Sequence, residues 1–385
     1  MNILVVGGGP AGLYFSYLLK KRHPEHRIRV VEQNARGATY GWGVVFSGVA
    51  LDAIRAADDE FFADFIRGHE TCDYIEVVHR RQGVRIHGNQ FSRTPRLELL
   101  ARLEAACERV GVELEWNRSV SLSDVDASWD LVVLANGGNS NLRTQFADEF
   151  GTRIDTRRNH FAWYGTEALF HPVSLIFVPT QWGTFISHCY QYSPTHSTFL
   201  VECSPETWAS AGLNTMSESN SREFCARVFG DELDGMPLLS NRSSWFRANI
   251  ISNARASHDR FILIGDAYRT VHFSLGSGTR MAMQDAMALC DAVGSAGGDA
   301  PAALAAFENS RRPASAEFQE AAARSLDWYE AVDDRLHLSP LAFTHDYMTR
   351  TGKVTRADLR KMDPAFVAAF EAEEKTRAPV AEAQR

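Results

Sequence analysis

The chain has 385 residues and a formal net charge of −8, and 45% of its residues are hydrophobic. This length predicts two domains with a large buried core. The acidic balance excludes bulk electrostatic attraction to nucleic acid or to an anionic membrane. No apolar run approaches the roughly 20 residues that span a bilayer. The apolar start runs into a glycine loop rather than a signal-peptide cleavage site, so we expect a cytoplasmic protein without a nucleic-acid or membrane partner.

Six cysteines are scattered along the chain, with no CxxC pair and no zinc-ligand spacing to a histidine. A disulfide framework is not expected in a chain of this size, and reduced thiols fit a reducing compartment. The sequence therefore predicts packing cysteines and no metal site.

The chain begins with the pattern of a βαβ unit. A short apolar strand over 2–6 precedes a helix over 11–22, and a second strand follows over 28–32. Residues 96–110 carry leucines at helical spacing and predict an amphipathic helix. Further strands are predicted at 112–116, 131–135 and 261–264.

A change of pattern marks a second domain. From about 160 to 204 the chain is rich in aromatic and β-branched residues, interrupted by turn residues, and this predicts antiparallel sheet. Two alanine-rich helices follow over 277–293 and 300–330. The C-terminal segment reads as helical before a charged tail over 371–385.

These elements predict an α/β (α+β) fold. A Rossmann-like dinucleotide-binding domain receives an inserted antiparallel β-sheet domain and is followed by C-terminal helices. The dinucleotide-binding domain is predicted to be discontinuous and to comprise residues 1–68, 90–157 and 255–335. The inserted substrate domain comprises 69–89 and 158–254, and the C-terminal helical segment comprises 336–385.

The first turn carries a dinucleotide motif. Residues 7–12 fit GxGxxG with glycines at Gly7, Gly9 and Gly12, and Glu32 follows Gly12 by twenty residues. Gly7 permits the tight turn, Gly9 lets the backbone approach a pyrophosphate, and Gly12 lets helix and strand pack closely. A pyrophosphate would meet the helix N-terminus. The Glu32 carboxylate would bind ribose hydroxyls and repel a 2′-phosphate, which predicts FAD or NAD. Neighbouring candidates for cofactor contact are Pro10, Ala11 and Gln33.

Two later segments favour FAD. The strand over 261–264 runs into Gly265-Asp266-Ala267, and a glycine loop then opens a helix. An acidic side chain after a strand can hold a ribityl hydroxyl, and amides at a helix N-terminus can face the pyrimidine edge of a flavin. The candidates in the glycine loop are Gly276, Gly278 and Thr279. The second segment, 130–143, ends its strand at Asn136 and Gly137.

Together these segments resemble the FAD-dependent aromatic hydroxylases of the para-hydroxybenzoate hydroxylase fold, over nearly the whole chain. The resemblance implies that Gly265 and Asp266 contact the ribityl and phosphate groups and that Arg96 contacts the FAD phosphates. Asn136 and Gly137 stand where most members carry Asp-Gly, so the hydrogen-bonding side chain is kept and the charge is lost.

Within this family the run from Tyr40 to Ser47 looks like the subgroup of salicylyl-CoA 5-hydroxylase and 2-aminobenzoyl-CoA monooxygenase. The segments 272–279 and 354–360 support that likeness. The violacein-pathway hydroxylases are also similar, in 159–166 and 134–137. The pair at 268–269 reads Tyr-Arg, where the CoA-type enzymes usually read Ala-His.

The resemblance implies bound FAD, transient NADH or NADPH, and transfer of one oxygen of O2 to an aromatic small molecule. A second GxGxxG does not occur in the sequence, which suits a nicotinamide that binds only transiently. Trp42, Gly43 and Val44 are placed where the family's mobile flavin passes. The glycines at 41 and 43 would let the ring swing, or they form an ordinary turn.

Three residues are candidates for catalysis: His188, Tyr190 and His272. Strand alternation over 187–192 puts His188, Tyr190 and Tyr192 on one face, where a histidine can position or deprotonate a substrate hydroxyl or amine. His272 adjoins the flavin loop. The alternative for each is a half-buried histidine or core tyrosine with a purely structural role.

Several functions remain open on the sequence. The first is hydroxylation of an aromatic acid carried as a CoA or carrier thioester, and the second is hydroxylation of a tryptophan- or indole-derived intermediate. Flavin-dependent halogenation is a third, but the WxWxIP segment of that group is absent from the sequence. A flavin-binding protein without turnover and a simple NAD-dependent dehydrogenase are the remaining alternatives.

Overall fold

The computed structural model describes residues 1–39, 41–272 and 276–382, with side chains described as far as residue 376. Tyr40, residues 273–275 of the predicted flavin loop, and residues 383–385 of the predicted tail lie outside the described residues. The α-helices are α1 (Pro10–Arg22), α2 (Gly48–Ala57), α3 (Asp59–Phe65), α4 (Arg96–Val110), α5 (Asn141–Gln145), α6 (Ala147–Phe150), α7 (Pro205–Ser210), α8 (Glu218–Val228), α9 (Gly230–Leu233), α10 (Gly278–Ser295), α11 (Ala300–Glu330), α12 (Pro340–Thr349), α13 (Arg356–Met362) and α14 (Pro364–Glu382).

The strands form two sheets. They are β1 (Asn2–Val6), β2 (Arg27–Val31), β3 (Gly43–Ser47), β4 (Glu70–His79), β5 (Gln82–Pro95), β6 (Glu113–Glu115), β7 (Leu131–Leu134), β8 (Thr152–Thr166), β9 (Val173–Thr180), β10 (Gly183–Ser193), β11 (His196–Cys203), β12 (Leu238–Leu239), β13 (Phe246–Asn253), β14 (Ser257–His258) and β15 (Phe261–Leu263). The predicted α/β (α+β) fold class is confirmed, and the helix predicted over 96–110 has those bounds.

The smaller sheet has the strand order β14-β15-β7-β1-β2-β6. Its strands run parallel except for the β14–β15 pair. In the centre, Val5 of β1 pairs with Val30 of β2 on one side and with Val133 of β7 on the other. Because helices cover a parallel sheet on both faces, its strands are apolar along their length. Residues 3–6 and 131–134 are accordingly all buried, and α1 packs against α4 and α10 beside them.

The larger sheet has the order β12-β8-β11-β10-β9-β4-β5-β3, with β13 paired to β8. It is antiparallel except where β4 runs parallel to β9. The C-terminal helices cover part of it, because Trp328, Phe343 and Val367 pack against Val77 and Phe177 in one apolar cluster. Among the described residues, no helix combines the length and the apolar character that a membrane span requires.

Candidate active site

The turn between β1 and α1 is too crowded for side chains at two of its glycines. Gly7 has φ +113°, and a Cβ built there would lie 2.5 Å from the carbonyl oxygen of Ala135. A Cβ on Gly12 would overlap the carbonyl oxygen of Gly7. Gly9 differs, because no described heavy atom lies within 4 Å of a Cβ built on it. The turn therefore leaves open space at Gly9, directly before the first turn of α1.

Glu32 lies at the end of β2 and closes the other side of this turn. Its carboxylate accepts hydrogen bonds from Gly8 N at 2.8 Å and from Asn34 N at 2.9 Å and Nδ2 at 2.6 Å. A carboxylate offers about four acceptor positions. These contacts fix the rotamer and leave about one position for a ligand hydroxyl.

A cavity of about 700 Å³ begins at this turn and extends to the larger sheet. Most of the residues predicted to bind the cofactor or substrate line it: Gly7, Gly9, Pro10, Ala11, Glu32, Gln33, Gly43, Val44, Arg96, Asn136, Gly137, His188, Tyr190, Asp266, Gly276, Gly278 and Thr279. Within the described part of the chain, the predicted residues outside the lining are Gly12, Trp42, Gly265 and His272.

Asp266 and Arg96 are two residues of opposite charge on the cavity wall. Asp266 is open to the cavity but enclosed by protein, and this burial raises its pKa, against the opposing effect of Arg96 and Arg269. Burial likewise lowers the pKa of Arg96, with Asp266 opposing it. The Arg96 backbone N–H donates to Trp42 O at 2.9 Å, and its Nε donates to Thr39 Oγ1 at 3.1 Å.

Two helix N-termini meet the cavity. The lining residues Pro10 and Ala11 belong to the first turn of α1, and Gly278 and Thr279 belong to the first turn of α10. Free N–H groups at a helix N-terminus carry partial positive charge and suit a phosphate or the electron-rich edge of a flavin. With the open face of Gly9, the cavity size and the Asp266–Arg96 pair, these residues fit a bound FAD.

One face of the larger sheet forms the opposite wall. His188 of β10 pairs with Leu200 of β11, and Leu200 pairs with Trp163 of β8. Tyr190 pairs with Thr198 in the same register. All five side chains line the cavity. Trp163, Thr198 and Leu200 were not predicted, although alternation along β8 and β11 could have identified them once β10 was placed beside β11.

Tyr190 and Tyr192 hold the β3 edge of this wall. Tyr190 donates its hydroxyl to Gly43 O at 3.0 Å, and burial raises its pKa. Tyr192 packs on Gly43, where an added Cβ would lie 2.5 Å from the Tyr192 Cβ. These contacts place β3 against β10, so that Gly43 and Val44 face the cavity.

The remaining predicted residues take supporting positions. Gly265 has φ +60° and its N–H donates to Asp285 Oδ2 at 3.0 Å. The Trp42 ring packs on Gly165. His272 is buried, with its ring centroid 5.1 Å from that of Phe161 and 6.2 Å from that of Tyr329. Burial lowers the pKa of His272 well below its usual range.

Asn136, the departure from Asp, lines the cavity and donates Nδ2 to Asn141 Oδ1 at 3.1 Å. The second departure, Arg269, is almost fully buried and forms an ion pair with Asp285. Both side chains therefore have protein partners of their own.

Comparison with known proteins identifies the family. Residues 1–322 match the FAD binding domain family. The chain is 35% identical over 379 residues to salicyloyl-CoA 5-hydroxylase from a Streptomyces species, covering 95% of this chain and 72% of the relative. It is 36% identical over 364 residues to protodeoxyviolaceinate monooxygenase from Chromobacterium violaceum, covering 91% of this chain and 94% of the relative.

The solved structure of a 2-methyl-3-hydroxypyridine-5-carboxylic acid oxygenase variant has a similar fold. Its TM-score is 0.72 at 16% identity, covering 94% of this chain and 98% of the other. The motif, the cavity and these relatives agree, and the chain belongs to the FAD binding domain family as an FAD-dependent aromatic monooxygenase.

Proposed function

We propose that the enzyme hydroxylates the ring of an aromatic acid carried as a CoA or carrier thioester, with NADH or NADPH as the reductant and O2 as the oxygen source. The observation that carries the proposal is the wall of Trp163, His188, Tyr190, Thr198 and Leu200, which lines the same cavity as the residues that fit FAD. The relative from Streptomyces, whose name gives salicyloyl-CoA as its substrate, supports the thioester class.

We propose a role for each group of cavity residues. The α1 N-terminus at Gly9 and the Arg96 guanidinium bind the pyrophosphate, Glu32 binds a ribose hydroxyl, and Asp266 binds a ribityl hydroxyl. The α10 N-terminus faces the flavin ring. FAD, when bound, supplies the electrons that activate O2, and the closed wall of the larger sheet keeps water from the reacting ring.

The predicted division of the chain is part of this proposal. Residues 1–68, 90–157 and 255–335 form the FAD-binding domain, residues 69–89 and 158–254 the substrate domain, and residues 336–385 a helical segment. We also propose a cytoplasmic location, supported by six cysteines that all lie in the described residues and are free.

A second substrate class is hydroxylation of an indole-derived intermediate. It is favoured by the similarity to protodeoxyviolaceinate monooxygenase, of which the chain covers a larger share, 94% against 72%. Trp163 on the cavity wall offers a flat apolar surface to either ring system.

The test is an NADH and NADPH oxidation screen on the FAD-loaded enzyme. Free aromatic acids, their CoA thioesters and indole compounds are each added, and products are analysed by mass spectrometry. Stimulated oxidation with a thioester product heavier by one oxygen supports the first class, and the same result with an indole supports the second. Oxidation that no aromatic compound stimulates would refute both.

A further inference from the structure

A fully buried carboxylate lies beside one of the histidines of the cavity wall. Glu202 of β11 pairs with Ile186 of β10, so its side chain is on the same face as His188, two residues along β10. Glu202 is 0% exposed, whereas the His188 ring lines the cavity. The sheet register therefore places a buried carboxylate next to a histidine that lines the cavity.

The contacts of Glu202 bear on which ring nitrogen of His188 carries the proton. Glu202 Oε2 lies 2.8 Å from His188 Nε2, and Glu202 Oε1 accepts from Asn159 Nδ2 at 2.7 Å. An ionised carboxylate only accepts hydrogen bonds. An ionised Glu202 therefore requires a proton on Nε2, which leaves Nδ1 as the basic atom of the neutral ring.

We propose that Glu202 is a positioning residue which, held by Asn159, fixes His188 in the Nε2-protonated tautomer, so that Nδ1 serves as the general base for a ring hydroxyl of the substrate. This inference rests on the proposed aromatic substrate. The arrangement follows the logic by which a buried carboxylate orients a catalytic imidazole in hydrolases.

The proton transfer is balanced within this pair of residues. The substrate O–H bond breaks and an Nδ1–H bond forms, which gives a phenolate and an imidazolium. The imidazolium then faces the Glu202 carboxylate, and the proton returns to oxygen when the product leaves. A phenolate donates more electron density to its ring than a phenol, which favours attack by an electrophilic oxygen.

Among the described residues, Glu202 is a charged group in hydrogen-bond contact with His188. Tyr190 of β10 is its neighbour along the strand. Tyr329 of α11 packs on His188 with ring centroids 5.1 Å apart. Burial lowers the pKa of His272 well below its usual range, and the charges of His188, then of Arg157 and Arg350, lower it further.

The tautomer can be measured without any substrate. Histidine ¹⁵N chemical shifts of the FAD-loaded enzyme distinguish Nε2–H from Nδ1–H, and loss of one signal in His188→Gln assigns the residue. We expect the Nε2–H form in the unaltered enzyme. In Glu202→Gln the amide N–H donates to Nε2 instead, so the signal should change to the Nδ1–H form. An Nδ1–H tautomer in the unaltered enzyme would overturn the proposal, even if the Glu202 variant failed to fold.

Turnover tests the catalytic part, with salicyloyl-CoA and benzoyl-CoA as probes that differ in one hydroxyl. For salicyloyl-CoA we expect kcat to fall about 100-fold in His188→Gln and in Glu202→Gln, with KM changed less than about threefold. The double variant should be no slower than either single variant, because both changes remove one base. His196→Gln, on the same strand as Glu202, is the control and should keep the unaltered rate.

Two outcomes separate this inference from the proposed function. Additive losses in the double variant, or equal losses with benzoyl-CoA, would indicate a structural role and overturn the base assignment. If no aromatic compound stimulates the unaltered enzyme, the proposed function fails and the general base with it. If compounds without a ring hydroxyl stimulate it and phenolic ones do not, the general base alone fails. In either case the tautomer measurement still decides the role of Glu202 toward His188.

Discussion

The indole of Trp163 lies against Gly41, so closely that a Cβ on Gly41 would be 2.9 Å from the ring. The contact is reciprocal, because the Trp42 ring covers Gly165, where a Cβ would lie 2.7 Å away. These two contacts join the segment before β3 to β8. Since Trp163 and Gly43 both line the cavity, the interlock fixes the β3 edge of the larger sheet next to β8 beside the cavity.

Gly41→Ala should disturb this interlock. Gly41 has φ +84°, so an alanine there is destabilised by the left-handed backbone conformation. Its Cβ would also overlap the Trp163 ring. Gly37→Ala is a matched control, because φ is +76° and no described atom lies within 4 Å of a Cβ at that position. We expect Gly41→Ala to lower the Tm and the FAD affinity more than Gly37→Ala, measured by thermal melting and flavin titration. Equal effects would mean that backbone strain alone explains the loss.

Alanine substitutions at Gly9 and Gly12 should have different effects on stability and on FAD binding. Gly9→Ala should leave the apoprotein stable, since its Cβ has open space, but should weaken FAD binding at least about tenfold because the pyrophosphate needs that space. Gly12→Ala should lower both apoprotein stability and FAD content, because its Cβ overlaps Gly7 O.

Equilibrium unfolding and flavin titration separate these two effects. Gly230→Ala, an exposed position where no atom of the described chain would meet the new methyl group, serves as the control. Unaltered FAD affinity in Gly9→Ala would place the pyrophosphate elsewhere.

The sequence predicted the parts of the site that depend on local backbone geometry. Gly7, Gly9 and the helix of residues 96–110 follow from spacing alone, because a tight turn and an amphipathic face leave direct patterns in neighbouring residues. Trp163 and Glu202 could not be predicted in this way. Their positions depend on the register of β8, β11 and β10, which joins residues distant along the chain.

For His272, in contrast, the sequence predicted a site residue whose side chain lies outside the cavity lining. Its place beside the glycine loop predicted a catalytic residue, but the chain turns its ring toward Phe161 and Tyr329, outside the cavity lining. Sequence proximity gives the position of the backbone and not the direction of the side chain. Its catalytic role stays a prediction.

Asp266 should oppose stability in the absence of FAD. Burial raises its pKa, so the native state binds this proton more tightly than the unfolded chain does. The stabilising contribution is therefore present below the usual carboxyl range and is lost as the pH rises through the raised pKa. Asp266→Asn removes the titration, and we expect the apoprotein Tm at pH 7 to rise while FAD content falls.

Thermal melts of the apoprotein from pH 4 to pH 8 test this linkage. The advantage of Asp266→Asn over the unaltered chain should shrink toward low pH. Asp52→Asn, an exposed position on α2, should alter neither stability nor FAD content. A Tm of Asp266→Asn below that of the unaltered apoprotein at pH 7 would contradict the expectation.

Asp285 holds the Gly265 turn from within the core, and its loss should be the most destabilising change. The carboxylate is 0% exposed and accepts from Gly265 N at 3.0 Å, from Arg269 at 2.9 and 3.0 Å, and from Arg311 Nε at 2.8 Å. Asp285→Asn leaves two enclosed guanidinium groups without their counter-ion, which should cost about 3–5 kcal/mol in the free energy of unfolding. Urea denaturation of the apoprotein measures this change in the free energy of unfolding.

Glu374→Gln is the control, because it breaks the exposed pair with Arg356 and should cost less than about 1 kcal/mol. A similar cost for both would show that Arg269 and Arg311 reach solvent when the carboxylate is removed.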